Sequence, residues 1–236
     1  MAPELIVGPR DVLARHVVTD LARALAAAPP ERPFTLAVPG GSVARAFFPA
    51  LASSGIDWTR VAVLFVDERA VPPDSPESNF ALAHALWLAP AGVPPAHVHR
   101  MPAEHEPIAA AADAYAATLG ALAGTPPRLD YVLLGVGDDG HVASVFAGDA
   151  AFEQTLESTV AWTTRAPKPP PARMTLTLPT LARATQVVIA AFGADKAAVV
   201  GQAVRGGEGG TPLAQLLRDA TRSRLLLDED AAAALH

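Results

Sequence analysis

The chain contains no cysteine. Disulfides, iron–sulfur clusters, thiolate zinc sites and cysteine nucleophiles are excluded together. Lysine is nearly absent as well: of 18 basic side chains only two are lysines, Lys168 and Lys196, so each lysine invites the question of what it faces. Acidic side chains outnumber basic ones by 24 to 18, the net charge is −6, and no Lys/Arg cluster follows the pattern of a nucleic-acid contact. Nucleic acid is therefore not expected as a partner. No long apolar run is present either; a long stretch free of Asp, Glu, Lys and Arg, from Phe80 to His99, is interrupted by Pro90, Pro94, Pro95 and histidines, which rules it out as a membrane span. The opening MAPELIVGPRD has neither a basic nor an apolar leader region, so the chain reads as cytoplasmic. A single domain over residues 1–236 is long enough to bury roughly 70–75% of its unfolded surface without any staple.

What is present is a repeated strand-to-helix pattern. Asp11 is placed to cap a helix running to Ala28, with Leu13, Val17, Leu21 and Leu25 at helical spacing. FTLAV (34–38) and VAVLFV (61–66) are short apolar strands, the first broken by Pro39-Gly40-Gly41 and followed by a helix from Ser42, the second ending at Asp67-Glu68-Arg69 before a helix from Ser78 or Asn79. A helix is expected from Pro107 to Leu122, then a strand, YVLLGVG, after Asp130. TVAWTT (159–164), MTLTL (174–178), QVVIAAF (186–192) and SRLLL (223–227) are further strand candidates, with a helix from Asp195. Alternating strands and helices predict an α/β fold with a mostly parallel sheet covered on both faces. Ligands in such folds bind at the carboxyl ends of the strands. Attention therefore falls on Gly40, Gly41 and Ser42, on Asp67 and Arg69, on Asp139 and His141, and on Lys196.

GVGDDG (135–140) formally matches the dinucleotide-binding GxGxxG pattern. It lies in mid-chain, it would set Asp138 and Asp139 against a pyrophosphate, and no strand ending in Asp or Glu follows about 20 residues on. The other reading makes the glycines steric, letting the chain turn so that Asp139 and His141 share a cleft, where a carboxylate-oriented histidine serves as base and then acid. A histidine that merely helps to cap a helix fits the same residues. VPGGS (38–42) suits an anion at a helix N-terminus and equally an ordinary tight turn. Arg173 and Lys196 are the cations that would decide between them, unless they are solvated surface charges. His97, His99 and His105 lack the register and the supporting carboxylates of a metal centre, and no metal or other cofactor is expected.

VDERAVPPDSPESN (66–79), LLGVGDDGHVASVFAG (133–148) and ARMTLTLP (172–179), in this order, resemble the 6-phosphogluconolactonase family over nearly the whole chain. The resemblance implies a three-layer α/β/α fold related to glucosamine-6-phosphate deaminase and ribose-5-phosphate isomerase, a metal-free site, and a small sugar phosphate lactone as substrate in the oxidative pentose phosphate pathway. It implies His141 as catalytic base with Asp139 beside it, Asp67 and Arg69 facing them, and Gly40, Gly41, Ser42, Arg173 and Lys196 on the substrate phosphate. Pro39 and Ala147 depart from the family pattern, which puts loop geometry rather than functional side chains in question. The alternative within the superfamily is a glucosamine-6-phosphate deaminase-like isomerase. That branch carries a glutamate shortly after the shared DGH, whereas VASVFAG here has no carboxylate before Asp149. A monomer and a homodimer fit the sequence equally.

Overall fold

The computed structural model describes residues 2–148, 158–206 and 210–235. A seven-stranded sheet forms its centre, in the order β1-β10-β9-β6-β2-β3-β5, and every pairing in it is parallel. Its strands are β1 (Glu4–Val7), β2 (Phe34–Val38), β3 (Val61–Phe65), β5 (Val98–His99), β6 (Tyr131–Gly135), β9 (Gln186–Ala191) and β10 (Ser223–Leu227). Every residue of β2, β3, β9 and β10 is buried, as continuous apolar strands covered on both faces require. The arrangement is the expected three-layer α/β/α.

The covering helices follow local rules. α1 (Arg10–Ala27) turns Leu13, Val17, Leu21 and Leu25 inward. It starts one residue ahead of the expected cap: Pro9 is the N-cap, and Asp11 lies in the first turn, where it pairs with Arg15 at 2.9 Å. α2 (Gly41–Ala52) follows β2 directly, and α3 (Asn79–Ala83) is capped by Ser78 Oγ, which accepts from Ala81 N–H. α4 (Ile108–Ala123) is rich in alanine and stops at Gly124, whose φ of 84° suits glycine. α5 (Leu178–Ala182), α6 (Ala197–Val204), α7 (Pro212–Asp219) and α8 (Glu229–Ala232) complete the set. Phe47 on α2 meets Phe192 edge-on at 5.6 Å, and Trp87 packs between Phe48 and Trp58.

Two features depart from the sequence reading. Asp67-Glu68-Arg69, read as the end of the second strand, forms a strand of its own, β4 (Asp67–Arg69), and it pairs antiparallel with β8 (Arg173–Leu176), which in turn pairs antiparallel with β7 (Val160–Thr163). This separate three-stranded ribbon could not be read from apolar runs, because β4 is entirely polar. The edge strands β1 and β5 also went unread; each is four residues or fewer.

The chain order fixes where a site can form. From β2 the chain moves to β3 on one side, while β6 lies on β2's other side, so the direction of winding reverses between β6 and β2. A crevice opens at the carboxyl ends of strands at such a reversal.

Candidate active site

The segments leaving β2 and β6 meet the polar ribbon at that reversal. Together they enclose a cleft of about 130 Å³ lined by residues that include Gly40, Gly41, Ser42, Asp67, Arg69, His141 and Arg173. Eight of the nine residues singled out from sequence bear on this region directly; the exception is Lys196, which is not part of the cleft wall.

After β6 the chain doubles back sharply. Gly137 N–H donates to His141 O at 2.9 Å, Gly140 adopts φ 80°, and Ala143 adopts φ 51°, a left-handed conformation costly for a residue with a Cβ. The turn places His141 Nδ1 2.5 Å from Asp139 Oδ1, which also accepts from the His141 backbone N–H at 3.1 Å. With an ionised aspartate as acceptor, Nδ1 carries the proton and Nε2 keeps a free lone pair. The imidazole rests on Phe146, centroids 4.4 Å apart.

Burial pulls the His141 pKa down, and although Asp139 pushes it up, the outcome is below the ordinary histidine value; Lys168 lowers it further. Burial raises the Asp139 pKa, but the His141 backbone N–H, the imidazole and Lys168 outweigh that, and the carboxyl titrates below its usual range. Near neutral pH the pair is thus a neutral imidazole held by a carboxylate. That is the protonation state a general base needs.

The ribbon supplies the facing wall through strand alternation. Asp67 and Arg69 lie on one face of β4 and Glu68 on the other. Arg69 stands directly opposite Arg173, and Asp67 opposite Thr175. Two like charges opposite one another are unfavourable across strands, and both guanidiniums line the cleft. Arg173, 5% exposed, is held by its surroundings: Nε donates to Pro170 O at 2.9 Å, Nη2 to Lys168 O at 3.0 Å and Pro169 O at 3.3 Å, and Nη1 to Ser144 Oγ at 3.3 Å. Arg69 Nη1 donates to Glu77 O at 2.6 Å, while its buried Nε has no partner among the described residues. Asp67 is buried, and both its oxygens are engaged, Oδ2 by Ser144 Oγ at 2.6 Å and Oδ1 by Asn79 Nδ2 at 3.1 Å.

Glu68, on the reverse face, organises the loop that follows. Its carboxylate accepts from Asn79 N–H and Arg69 N–H at 2.8 Å each and from Phe80 N–H and Ser78 Oγ at 2.9 Å each. Burial nonetheless keeps its pKa above the usual value. Asn79 is held against Gly40, where an added Cβ would fall 1.8 Å from Asn79 Oδ1.

On the other side of β6, Lys196 closes the short turn after β9 and pairs with Asp195 at 2.7 Å. β9 and β2 are separated by β6 alone, two strand spacings or about 10 Å, and Lys196 and the Gly40–Ser42 turn follow the carboxyl ends of those two strands. Lys168 caps the same edge: its Nζ pairs with Asp138, whose pKa is lowered first by that bond and also by the charge of Lys196. The only two lysines of the chain therefore act on one aspartate of the DDGH turn. Sequence reasoning missed Ser144, Asn79, Glu68 and Lys168. Ser144 and Asn79 lie inside segments already singled out, and the scarcity of lysine was the signal for Lys168. Ala147 is exposed and Pro39 lies in the cleft wall, while Asp149 lies outside the described residues.

Comparison with known proteins adds independent findings. The family described as glucosamine-6-phosphate isomerases/6-phosphogluconolactonase matches residues 9–226. A 6-phosphogluconolactonase of Streptomyces coelicolor is 40% identical over 211 residues, covering 83% of this chain and 80% of its own. One of Mycobacterium leprae is 37% identical over 203 residues, 82% of each chain. The solved structure of the 6-phosphogluconolactonase from Trypanosoma cruzi superimposes with a TM-score of 0.89 at 27% identity, over 100% of this chain and 98% of that one. A monomeric glucosamine-6-phosphate deaminase shares the fold, TM-score 0.81 at 16% identity, covering 98% of this chain and 99% of that one.

Proposed function

Because the chain belongs to the glucosamine-6-phosphate isomerase/6-phosphogluconolactonase family, we propose that it hydrolyses 6-phospho-D-glucono-1,5-lactone to 6-phosphogluconate, in the cytoplasm, as a step of the oxidative pentose phosphate pathway. The observation that carries this reading is the His141–Asp139 pair, with Nε2 unbonded among the described residues, facing a wall of two arginines and a glycine turn. The relatives bearing the lactonase name support the substrate.

The substrate phosphate sits at the Gly40–Ser42 turn. There the first N–H groups of α2 and the Ser42 hydroxyl donate to it, while Arg173 supplies the charge. Lys196 reaches toward the same phosphate over the end of β6. With one end anchored, the lactone carbonyl comes to His141. His141 Nε2 takes a proton from water as the water oxygen attacks the carbonyl carbon; Asp139 holds the imidazolium that results. The free Nε–H of Arg69 or a backbone amide stabilises the oxyanion. The tetrahedral intermediate then collapses, the bond from carbonyl carbon to ring oxygen breaks, and Nε2–H protonates that oxygen. The new carboxylic acid ionises, so each turnover releases one proton to solution. Asp67, both oxygens occupied, ties Asn79 in the wall to Ser144 buried behind it.

Freshly prepared lactone in a pH-stat tests the reading, since catalysis appears as proton release above the spontaneous rate. Turnover is expected to collapse in His141→Ala; a variant that kept wild-type turnover would end this mechanism. Glucosamine 6-phosphate is expected to yield no fructose 6-phosphate. Its accumulation would assign the chain to the isomerase branch.

A further inference from the structure

A hollow of about 1020 Å³, larger than the catalytic cleft, lies apart from it. It opens at the opposite, amino ends of the strands, beside Phe34, Asp130 and Gln186. Five arginines line it, Arg23, Arg32, Arg128, Arg222 and Arg224, against two carboxylates, Asp20 and Asp130. In a chain of net charge −6 this is a local reversal of sign. Two of the five are committed to the fold: Arg32 grips Asp130 through two 2.6 Å hydrogen bonds, and Arg224 pairs with Asp20 and Glu4. Arg23, Arg128 and Arg222 are exposed, and their guanidiniums have no acceptor or ion-pair partner among the described residues.

Topology brings these three together. β10, β9 and β6 are neighbours in the sheet; Arg222 directly precedes β10 and Arg128 lies just ahead of β6. Only β9 separates them laterally, two strand spacings or about 10 Å, within reach of two arginine arms bending toward one ligand. Arg23 arrives from α1. Asp20, three residues earlier on the same helix face, accepts from Tyr131 Oη at 3.1 Å and pairs with Arg224, which pins that face over the starts of β6 and β10. The carboxyl ends of α1 and α4 also open here, at Ala27 and Ala123. Each counts for roughly half a negative charge, so together they offset about one of the three free guanidiniums. The remaining excess has no partner among the described residues.

We infer that this hollow is a second binding site, for a small phosphorylated molecule carrying two or more phosphate groups. The guanidinium fork matches phosphate oxygens in a bidentate way, and three forks set on separate elements suit several phosphates better than one. Ala24, Ala27 and Pro29 leave the space between them open. The inference is independent of the lactonase reading, because no residue of the hollow belongs to the catalytic cleft.

Calorimetric titration of the full chain with inorganic tripolyphosphate at low ionic strength tests it, using two triple variants that remove equal charge. One is Arg23→Ala/Arg128→Ala/Arg222→Ala. The other is Arg15→Ala/Arg183→Ala/Arg218→Ala, at exposed positions outside the hollow. The wild type is expected to bind saturably, and the first variant to lose about 10-fold in affinity or more for each arginine removed. The second variant is expected to bind like the wild type. Arg128→Ala alone, expected to lose about 10-fold, guards against a folding defect in the triple variant. Absence of saturable binding to the wild type, unchanged binding to the first variant, or equal loss in both triples would each overturn the inference. Lactone hydrolysis without tripolyphosphate is expected to be the same in all of these proteins.

Discussion

Gly137→Ala isolates the His141–Asp139 pair without touching either residue. Gly137 does not adopt positive φ, so its backbone accepts alanine. The new methyl, however, falls 1.9 Å from His141 Nδ1, 2.1 Å from its Cε1 and 2.6 Å from Asp139 Oδ1. The imidazole must swing away, and the bond to Asp139 is lost. A hydrogen bond to a charged partner contributes about 1.5–3 kcal/mol, so lost orientation alone slows turnover by about 10- to 100-fold. Displacing the base from the water adds to that, within the roughly 10²- to 10⁴-fold that general-base catalysis supplies. A fall in kcat of about 100-fold or more is expected in the pH-stat, with a thermal midpoint close to wild type because only side chains near solvent move. Gly8→Ala, with no heavy atom within 4 Å of the new methyl, is the control. Gly140→Ala in the same motif has the opposite character: φ is 80°, and the methyl meets Val199 Cγ2 at 2.7 Å and Thr211 Cβ at 2.9 Å. It is expected to cost stability, about 2–5 kcal/mol from the left-handed backbone and overpacking together. A folded Gly137→Ala protein with wild-type kcat would refute the steric account of this glycine and the role given to the pair.

Other perturbations follow from the same geometry. Because burial sets the His141 pKa below its ordinary value and Lys168 lowers it further, the acid limb of the pH–rate profile should lie below pH 6.5, and Lys168→Met should move it upward; a limb that stays in place would separate Lys168 from His141. Ser144→Ala removes the 2.6 Å bond to Asp67 from a fully buried position. About 1.5–3 kcal/mol of stability should go with it, a drop in Tm of roughly 3–12 °C for a chain of this size, measured by thermal denaturation. Asp130→Ala strips the partner from Arg32 and from the Thr35 N–H and hydroxyl, bonded at 2.8 and 2.9 Å, and should cost about 3–5 kcal/mol in chemical denaturation. In the wild type, burial raises the Asp130 pKa, but the bonds from Arg32 and Thr35 leave it depressed overall. Its contribution is therefore complete above the unfolded aspartate value of about 3.9 and is lost as pH falls through the lower folded value. The difference in stability between Asp130→Ala and wild type should shrink only in that acid range.

The parallel sheet was legible because its strands are continuous apolar runs ended by residues that cannot continue them: FTLAV before Pro39-Gly40, and QVVIAAF before Gly193. The histidine turn was legible for a related reason, since a short polar run after such a strand must lie at the carboxyl edge of the sheet. The ribbon was not legible. β4 reads DER, three charged residues, and its strand conformation comes from pairing with β8, more than a hundred residues later. No local pattern announces a partner that distant. Ser144 and Asn79 were invisible for the same reason: each matters through a bond to Asp67, at sequence separations of 77 and 12, and not through its surroundings in the chain.

The ribbon also explains why one tripeptide serves two purposes. Alternation in β4 sends Asp67 and Arg69 to the cleft and Glu68 to the opposite face, where it binds the amides that open α3. That carboxylate fixes Asn79, and Asn79 in turn holds Asp67 and fills the space over Gly40. A one-residue slip in the pairing of β4 with β8 would therefore place Glu68 in the cleft and Asp67 and Arg69 outside it. The antiparallel register Arg69 to Arg173 is held against the repulsion of two facing guanidiniums by the buried Glu68 on one side and the Asp67–Ser144 bond on the other. The anion expected at Gly40–Ser42 would remove that repulsion on binding, so occupancy of the phosphate position and rigidity of the ribbon rise together. The glycine turn, the histidine turn and the ribbon then close on one ligand from three directions, each held by a different part of the chain.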